Sequence, residues 1–262
     1  MSLQTAIGYS RSTARAAAMA TRTVVGLQVA NAHRSIAQPD ARYDVWQQHM
    51  KVWARDMLRV FNFDESWASA PPSPGSGGRL IVANHRSPID IILLLRHFGG
   101  CVVSHSAVAR WPVLGRAARE AETIFVDRDD THSGVAAIRE IRRRLGDGRT
   151  VIVFPEGTTY PGDEVRPMLG GAFAAARGLS VEIVPVGIAY QPGAEFYKES
   201  FTRHMARVAA REVTPVALCA GEPRPMEGSR AALTKSLQTE VQDLVDTARQ
   251  HLDGASATAG RT

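Results

Sequence analysis

Hydrophobic positions along the chain follow two spacings, which alternate from residue 79 onwards. Short β-branched runs bounded by polar residues predict buried strands, and apolar positions three or four residues apart predict helices. By these criteria strands lie at 80–83, 101–104, 123–126, 150–154, 182–190 and 214–219, and helices at 88–97, 112–120, 132–145, 167–177 and 228–252. The alternation predicts an α/β fold, a mainly parallel sheet flanked by helices, with an N-terminal amphipathic helical extension.

The extension contains the clearest helical stripe of the chain, at residues 40–61. The stripe consists of large apolar residues at three- or four-residue spacing: Trp46, Met50, Trp53, Met57 and Phe61. Lys51, Arg55 and Arg59 lie on the opposite side. Two interpretations stay open. The stripe packs on the core, or it lies among lipid headgroups with its cations near anionic lipid.

Residues 1–39 are basic and carry no Asp or Glu. This composition predicts a mobile basic tail or an amphipathic helix on anionic lipid, and favours both over the alternative of a mitochondrial transit peptide. No apolar run reaches the roughly 20 residues that a membrane span requires, so we predict a peripheral protein without a transmembrane segment.

The chain divides at a stretch rich in proline, glycine and serine, residues 66–78. This composition predicts a linker. We therefore expect an N-terminal basic, amphipathic helical segment at 1–65, a linker at 66–78 and a catalytic domain at 79–252. A small, polar tail at 253–262 is predicted to be disordered.

Charge and cysteine content narrow the class of protein. Lys and Arg number 31 against 26 Asp and Glu, and the isoelectric point near 9.6 favours an anionic partner such as a phospholipid surface or CoA. The basic residues are not interleaved with aromatics in a nucleic-acid-binding motif, so we predict no nucleic-acid partner. Cys101 and Cys219 lie far apart without neighbouring metal ligands, which predicts neither a disulfide framework nor a metal site.

Candidate chemistry centres on the junction after the first of these strands, at residues 84–90. Ser87 and Pro88 predict a helix start, with Ser87 as N-cap, and His85 lies in the turn before it. Asp90 has two interpretations. Its carboxylate caps the helix by reaching back to the Ser87 N–H, or it fixes the tautomer of His85 so that the other ring nitrogen accepts a proton. Both are possible at once.

Two further motifs follow strands directly, so parallel strands would bring them to the same edge as His85. Arg128 is suited to bind phosphate or carboxylate, or it forms an ion pair with a neighbouring acid. Glu156 either orients Arg128 or accepts from a substrate hydroxyl. Gly157 and Thr158 continue the same turn, where glycine would let the backbone approach a ligand.

Four blocks carry a resemblance to a known family: His85 with Asp90 as H-x-x-x-x-D, then 125–128, 154–158 and 184–186. In order and spacing they resemble the glycerolipid acyltransferases, typified by 1-acyl-sn-glycerol-3-phosphate acyltransferase, over residues 79–190. The resemblance implies a His85 base supported by Asp90, and substrate binding at the remaining blocks. It also implies acyl-CoA or acyl carrier protein as co-substrate, no cofactor, a lysolipid acceptor such as lysophosphatidic acid, and lipid metabolism at the cytoplasmic face of a membrane.

The chain departs from the family pattern where cations are usual. It has Thr159 after Glu-Gly-Thr, His105 before the Pro-x-x-Gly segment, and Leu169 with Gly170 before the next helix. Arg128, Arg149 and Arg166 are candidates to compensate. The alternative acceptor is a lipid without a phosphomonoester, such as a lyso-ornithine lipid. The alternative from another class is a non-catalytic lipid-binding protein at a membrane surface.

Overall fold

The computed structural model describes residues 3–111, 114–127 and 129–259. The helices are α1 (Leu3–Ile36), α2 (Arg42–Val60), α3 (Ile89–Phe98), α4 (Leu114–Glu120), α5 (Thr131–Gly146), α6 (Gly171–Ala176), α7 (Phe201–Ala210) and α8 (Arg230–Ala259), with a 3₁₀ turn at Ser106–Arg110. The strands are β1 (Phe63–Ser69), β2 (Gly78–Ala83), β3 (Cys101–His105), β4 (Ile124–Val126), β5 (Thr150–Val153), β6 (Val181–Tyr190), β7 (Thr214–Ala220) and β8 (Arg224–Pro225). Within the described ranges, none of the helices combines the length and hydrophobicity that crossing a membrane requires.

All eight strands form one sheet, which confirms the predicted fold class. Its order is β1-β7-β6-β2-β5-β3-β4, with β8 paired to β6. Strands β2 to β6 run parallel, whereas β7 is antiparallel to β6 and β1 is parallel to β7. Because β2 lies between β5 and β6 and runs parallel to both, the turns that follow these three strands meet at one edge.

The core has two layers, one on each face of the sheet. Along β2 the side chains alternate: Ile81 and Ala83 join the layer under α2 and α3, and Leu80 and Val82 join the layer under α5, α6 and α8. This two-residue period is expected of a strand covered on both faces. It fixes which way the chain leaves β2 toward the following turn.

The stripe on α2 packs against the core. Trp46 and Met50 are 3% and 7% exposed and belong to the core layer next to α3. The structure therefore supports the packed interpretation of this stripe over the lipid-facing one. Helix α1 exposes six large apolar side chains: Ile7, Tyr9, Val24, Val25, Val29 and Ile36.

Several element boundaries differ from the predictions. Strand β1 extends into the predicted linker and pairs with β7 at an edge of the sheet. Its sequence, FDESWAS, is mostly polar and therefore lacks the apolar run by which β2 to β7 were predicted. Helix α8 continues to Ala259, so residues 253–259 are helical rather than disordered. Helix α6 is shorter than predicted because Arg166 and Leu169 donate their N–H groups to Glu156 and Pro155 instead. Pro112 and Val113 of the predicted helix 112–120 lie outside the described residues.

The contact of α8 with β6 depends on a glycine. A Cβ at Gly187 would lie 2.3 Å from backbone atoms of Leu244 and Val245. We expect Gly187→Ala to lower the free energy of unfolding by about 1–3 kcal/mol, since helix and strand must separate. Gly134→Ala in α5 is the control, because a Cβ there meets nothing within 4 Å, and it should stabilise by about 0.5–1 kcal/mol. Urea unfolding of both variants measures the difference, and equal stabilities would contradict this packing.

Candidate active site

The turn after β2 is fixed to the neighbouring strand by Asn84. Its side-chain Nδ2 donates to the Ile188 carbonyl and its Oδ1 accepts from the Ile188 N–H, both at 2.8 Å. Asn84 is fully buried, so these bonds also satisfy an amide that would otherwise be costly inside the core. The backbone leading into His85 is therefore held by β6.

Asp90 both caps helix α3 and orients His85, so the two interpretations from the sequence hold together geometrically. Asp90 Oδ2 lies 2.8 Å from His85 Nδ1 and accepts from the N–H groups of Arg86 and Ser87 at 2.6 and 2.8 Å. The helix begins at Ile89 with Pro88 as N-cap, one residue later than predicted. Ser87 Oγ still accepts from the Ile89 N–H, at 3.2 Å.

The second oxygen of Asp90 is bound by Tyr190 at the end of β6. The Tyr190 hydroxyl donates to Asp90 Oδ1 at 2.6 Å, and both side chains are buried. Burial, followed by the nearby Asp90 carboxylate, raises the pKa of Tyr190 well above its ordinary value, so the phenol keeps the proton that it donates. The carboxylate thus meets donors on both oxygens and is held rigidly beside the imidazole.

The imidazole of His85 is positioned with one nitrogen available. Because a carboxylate only accepts, Nδ1 carries the proton of the His85–Asp90 bond, and Nε2 is left with a lone pair. The ring stacks on Phe154, with centroids 4.1 Å apart and planes 19° apart. The His85 side chain is 16% exposed, so Nε2 belongs to a ring that is largely enclosed but still reachable. This is the geometry of a general base.

Glu156 does not face a substrate. Its Oε1 accepts from the His85 N–H at 2.8 Å, and its Oε2 accepts from the Arg166 N–H at 3.0 Å. The Arg86 guanidinium bonds to both oxygens at 3.0 and 3.1 Å, and neither side chain is more than 1% exposed. The predicted substrate contact of Glu156 is therefore wrong for this structure, because the carboxylate is buried among its own donors. It ties the β5 turn to the β2 turn.

The other predicted binding residues differ in where they lie. Gly157 has φ of 81°, a conformation that favours glycine, and Thr158 beside it is exposed at the same edge as His85.

Arg128 lies outside the described residues, so its predicted role stays a prediction. Arg149 precedes β5 and lies at the opposite edge, where it bonds to Glu122 at 3.0 Å, so it does not compensate for missing cations near His85. Arg166 is at the correct edge but pairs with Glu164 at 3.0 Å.

An apolar cavity adjoins the catalytic turn. It has a volume of about 140 Å³ and includes Pro88 and Ile89, which follow His85 by only a few residues. Its remaining walls come from α1, α2, α3, α4 and α7, for example through Gly26, Trp53, Ile92, Ala118, Phe201 and Met205. Helix α7, in the segment that connects β6 to β7, thus supplies part of this wall.

Sequence reasoning missed Arg86, Phe154 and Tyr190 as parts of this site. Phe154 and Tyr190 each stand at or just past the end of a strand that runs parallel to β2, and this shared position is the signal that could have identified them. Arg86 carries no such signal, since an arginine beside a turn is normally solvated.

The chain is similar to known acyltransferases. Residues 65–189 match the family model described as Acyltransferase. The lyso-ornithine lipid O-acyltransferase of Pseudomonas aeruginosa is 33% identical over 171 residues, which cover 62% of this chain and 66% of the relative. The 1-acyl-sn-glycerol-3-phosphate acyltransferase of Helicobacter pylori is 31% identical over 114 residues, which cover 42% of this chain and 48% of the relative. These alignments span from about half to just under two thirds of the relatives.

The fold has a solved counterpart. The crystal structure of the 1-acyl-sn-glycerophosphate (LPA) acyltransferase PlsC from Thermotoga maritima aligns with a TM-score of 0.68 over 90% of this chain and 96% of that chain, at 20% identity. This likeness supports the fold, a mostly parallel sheet flanked by helices. The match to the Acyltransferase family model, at residues 65–189, covers just under half of the chain and includes the turns after β2 and β5.

Proposed function

We propose that the protein transfers a fatty acyl group from acyl-CoA or acyl carrier protein to the hydroxyl of a lysolipid. The observation that carries the proposal is the 2.8 Å bond between His85 Nδ1 and Asp90, which directs the lone pair of Nε2 away from the carboxylate. A thioester carbonyl is already activated, so the reaction needs a base for the acceptor and no nucleophile from the protein.

In the proposed reaction, His85 first accepts a proton and later returns it. Its Nε2 takes the proton of the acceptor hydroxyl as that oxygen attacks the thioester carbonyl carbon. The carbon–sulfur bond then breaks, and the imidazolium returns the proton to the leaving thiolate, which gives an ester and a free thiol. Asp90 stabilises the transient imidazolium, and positioned base catalysis of this kind is typically worth about 10² to 10⁴ in rate.

The apolar cavity supports a fatty acyl chain as the transferred group. Pro88 and Ile89 form part of its lining, and most of the remaining wall consists of apolar side chains from five helices. A chain seated there would place its thioester near the His85 turn. Burial of each additional methylene favours binding by about 0.8 kcal/mol, so the depth of the cavity would select chain length.

Filling the cavity should shift that selection. A Cβ at Gly26 makes an ordinary contact, 3.8 Å from Trp53, so Gly26→Leu can extend into the cavity without a backbone clash. We expect turnover with a palmitoyl donor to fall about tenfold relative to a decanoyl donor, because the longer chain loses its space. Ala17→Leu on the exposed side of α1 is the control. Equal losses for both donors would contradict an acyl-binding cavity.

The acceptor that the described charges favour lacks a phosphomonoester. Thr159 and Leu169 stand where the family often has cations, Arg149 lies at the opposite edge, and Arg166 is paired with Glu164. The P. aeruginosa relative is named for a lyso-ornithine lipid, which fits this pattern. Lysophosphatidic acid is the second candidate, favoured by the name of the H. pylori relative.

The substrates would be met at a membrane surface. Helix α1 exposes Val24, Val25, Val29 and Ile36 at 43–82% and has no acidic residue, which suits a peripheral helix on anionic lipid. We propose peripheral attachment at the cytoplasmic face, where acyl-CoA and acyl carrier protein are found.

The decisive assay incubates purified protein with labelled acyl-CoA or acyl carrier protein and a panel of lysolipids. The proposal requires a labelled diacyl product, and the acceptor with the highest kcat/KM identifies the lysolipid. Binding to anionic vesicles with no product from any pair would instead support the non-catalytic lipid-binding alternative.

A further inference from the structure

Helix α7 contributes a buried histidine that the proposed reaction does not use. His204 has no exposed surface, and its Nε2 lies 3.0 Å from Ser87 Oγ in the catalytic turn. On the other side of the ring, Nδ1 lies 3.2 Å from Glu199 Oε1, and Arg207 also bonds to that carboxylate. A buried imidazole between a hydroxyl and a carboxylate therefore joins α7 to the turn that carries His85.

The hydrogen-bonding partners determine which atom donates in each bond from Ser87 through His204 to Glu199. Ser87 Oγ already accepts from the Ile89 N–H, so its own proton is available for His204 Nε2. Arg207 Nη2 also lies 3.2 Å from His204 Nδ1, but its two hydrogens are directed to the Glu195 carbonyl and to Glu199. His204 Nδ1 therefore carries a proton and donates to Glu199, which can only accept. Burial lowers the pKa of His204 from its ordinary value, which favours this neutral form.

Ser87 connects this series of hydrogen bonds directly to His85 and Asp90. Its N–H donates to Asp90 Oδ2 at 2.8 Å, the same oxygen that faces His85 Nδ1. On the other side of His204, Phe201 and Met205 of the same helix line the apolar cavity. A displacement of α7 would therefore act on both the cavity wall and the turn that orients the base.

We infer that His204 is a positioning residue for acyl transfer. By accepting from Ser87 Oγ, it fixes the catalytic turn to α7, one of the helices that line the acyl cavity. The inference rests on the proposed function. It predicts that loss of the Ser87–His204 bond lowers kcat, because Asp90 and His85 are then held less precisely, while the affinity for the acyl donor changes little. A misplacement of about 1 Å can cost about 10²-fold in rate.

Two replacements separate the Ser87 bond from the Glu199 bond. The amide of H204Q reaches the position of Nε2 and can accept from Ser87, whereas the amide of H204N reaches the position of Nδ1 and can only serve Glu199. We expect H204N to lower kcat about 10- to 100-fold with KM for the acyl donor within about twofold, and H204Q to stay within about threefold of wild type. His251→Asn, exposed on α8, controls for loss of a histidine.

A double-mutant cycle tests whether the effect passes through Ser87. Ser87→Ala removes the donor and leaves the backbone N–H on Asp90, so it should lower kcat as H204N does, and the double variant should be no slower than the slower single variant. Unfolding midpoints are recorded for each variant. If H204N does not fold, the kcat of Ser87→Ala alone tests whether loss of the Ser87–His204 bond slows turnover.

The outcomes distinguish this inference from the proposed function. A wild-type protein inactive with every donor and acceptor overturns both. An active wild type with H204N at full kcat, with H204Q as slow as H204N, or with additive losses in the cycle overturns the positioning role alone.

Discussion

Replacing His85 by alanine should lower acyl transfer by about 10² to 10⁴, because the acceptor hydroxyl then loses the base that takes its proton. The fold should persist, since among the described residues the His85 ring makes a single hydrogen bond and one aromatic stack, whereas the turn is held by backbone groups and by Asn84. The measurement is kcat with the best donor and acceptor, accompanied by the unfolding midpoint.

The control for this variant is His132→Ala. His132 is exposed near the start of α5, and it should retain wild-type turnover. If His85→Ala kept more than about a tenth of the wild-type rate, general-base catalysis by His85 would be excluded, since the loss would be smaller than such catalysis supplies.

The largest effect on stability is expected from Glu156→Gln. The buried Arg86 guanidinium would lose its counter-ion, and an uncompensated buried charge of this kind typically costs about 3–5 kcal/mol. The amide would also point an N–H group toward a donor, either the His85 N–H or the Arg166 N–H. Turnover should fall as well, because the turn that carries His85 is then held less firmly to the turn after β5.

Glu164→Gln is the matched control for Glu156→Gln. Glu164 pairs with Arg166 at 3.0 Å but is 70% exposed, so its ion pair is screened by water and its loss should leave the unfolding free energy nearly unchanged. Denaturant unfolding of the two variants measures the contrast. Similar small losses in both would show that the Arg86–Glu156 pair does not stabilise the two turns.

The local parts of the site could be predicted from the sequence. His85 and Asp90 are five residues apart across a helix start, so the chain itself brings them together. The apolar runs at 80–83 and 150–154 predicted buried strands of a mainly parallel sheet, and parallel pairing places their following turns at one edge. For these features, short-range geometry decides the structure.

The long-range parts could not be predicted. Tyr190 reaches Asp90 from 100 residues away, and only the pairing of β6 with β2 makes that contact. Glu156 was expected at a substrate, yet its burial depends on Arg86, whose charge gave no sign of entering the core. Arg149 was considered a substitute cation, although its place before β5 puts it at the opposite edge.

The N-terminal region shows why an apolar stripe in the sequence does not reveal whether it contacts protein or lipid. The stripe on α2 could face lipid or protein, and the structure buries Trp46 and Met50 because α3 provides an apolar surface for them. Six exposed large apolar side chains lie on α1, whose alanine-rich sequence lacks a comparable stripe.

The most direct test of the central claim is the turnover of Asp90→Asn measured per folded molecule. If Asp90 orients the His85 base, kcat should fall by at least about 10², because an amide cannot fix the tautomer or stabilise the imidazolium as a carboxylate does. A folded Asp90→Asn protein with nearly wild-type kcat, changed only in its unfolding midpoint, would reduce Asp90 to a helix cap and contradict the proposed mechanism.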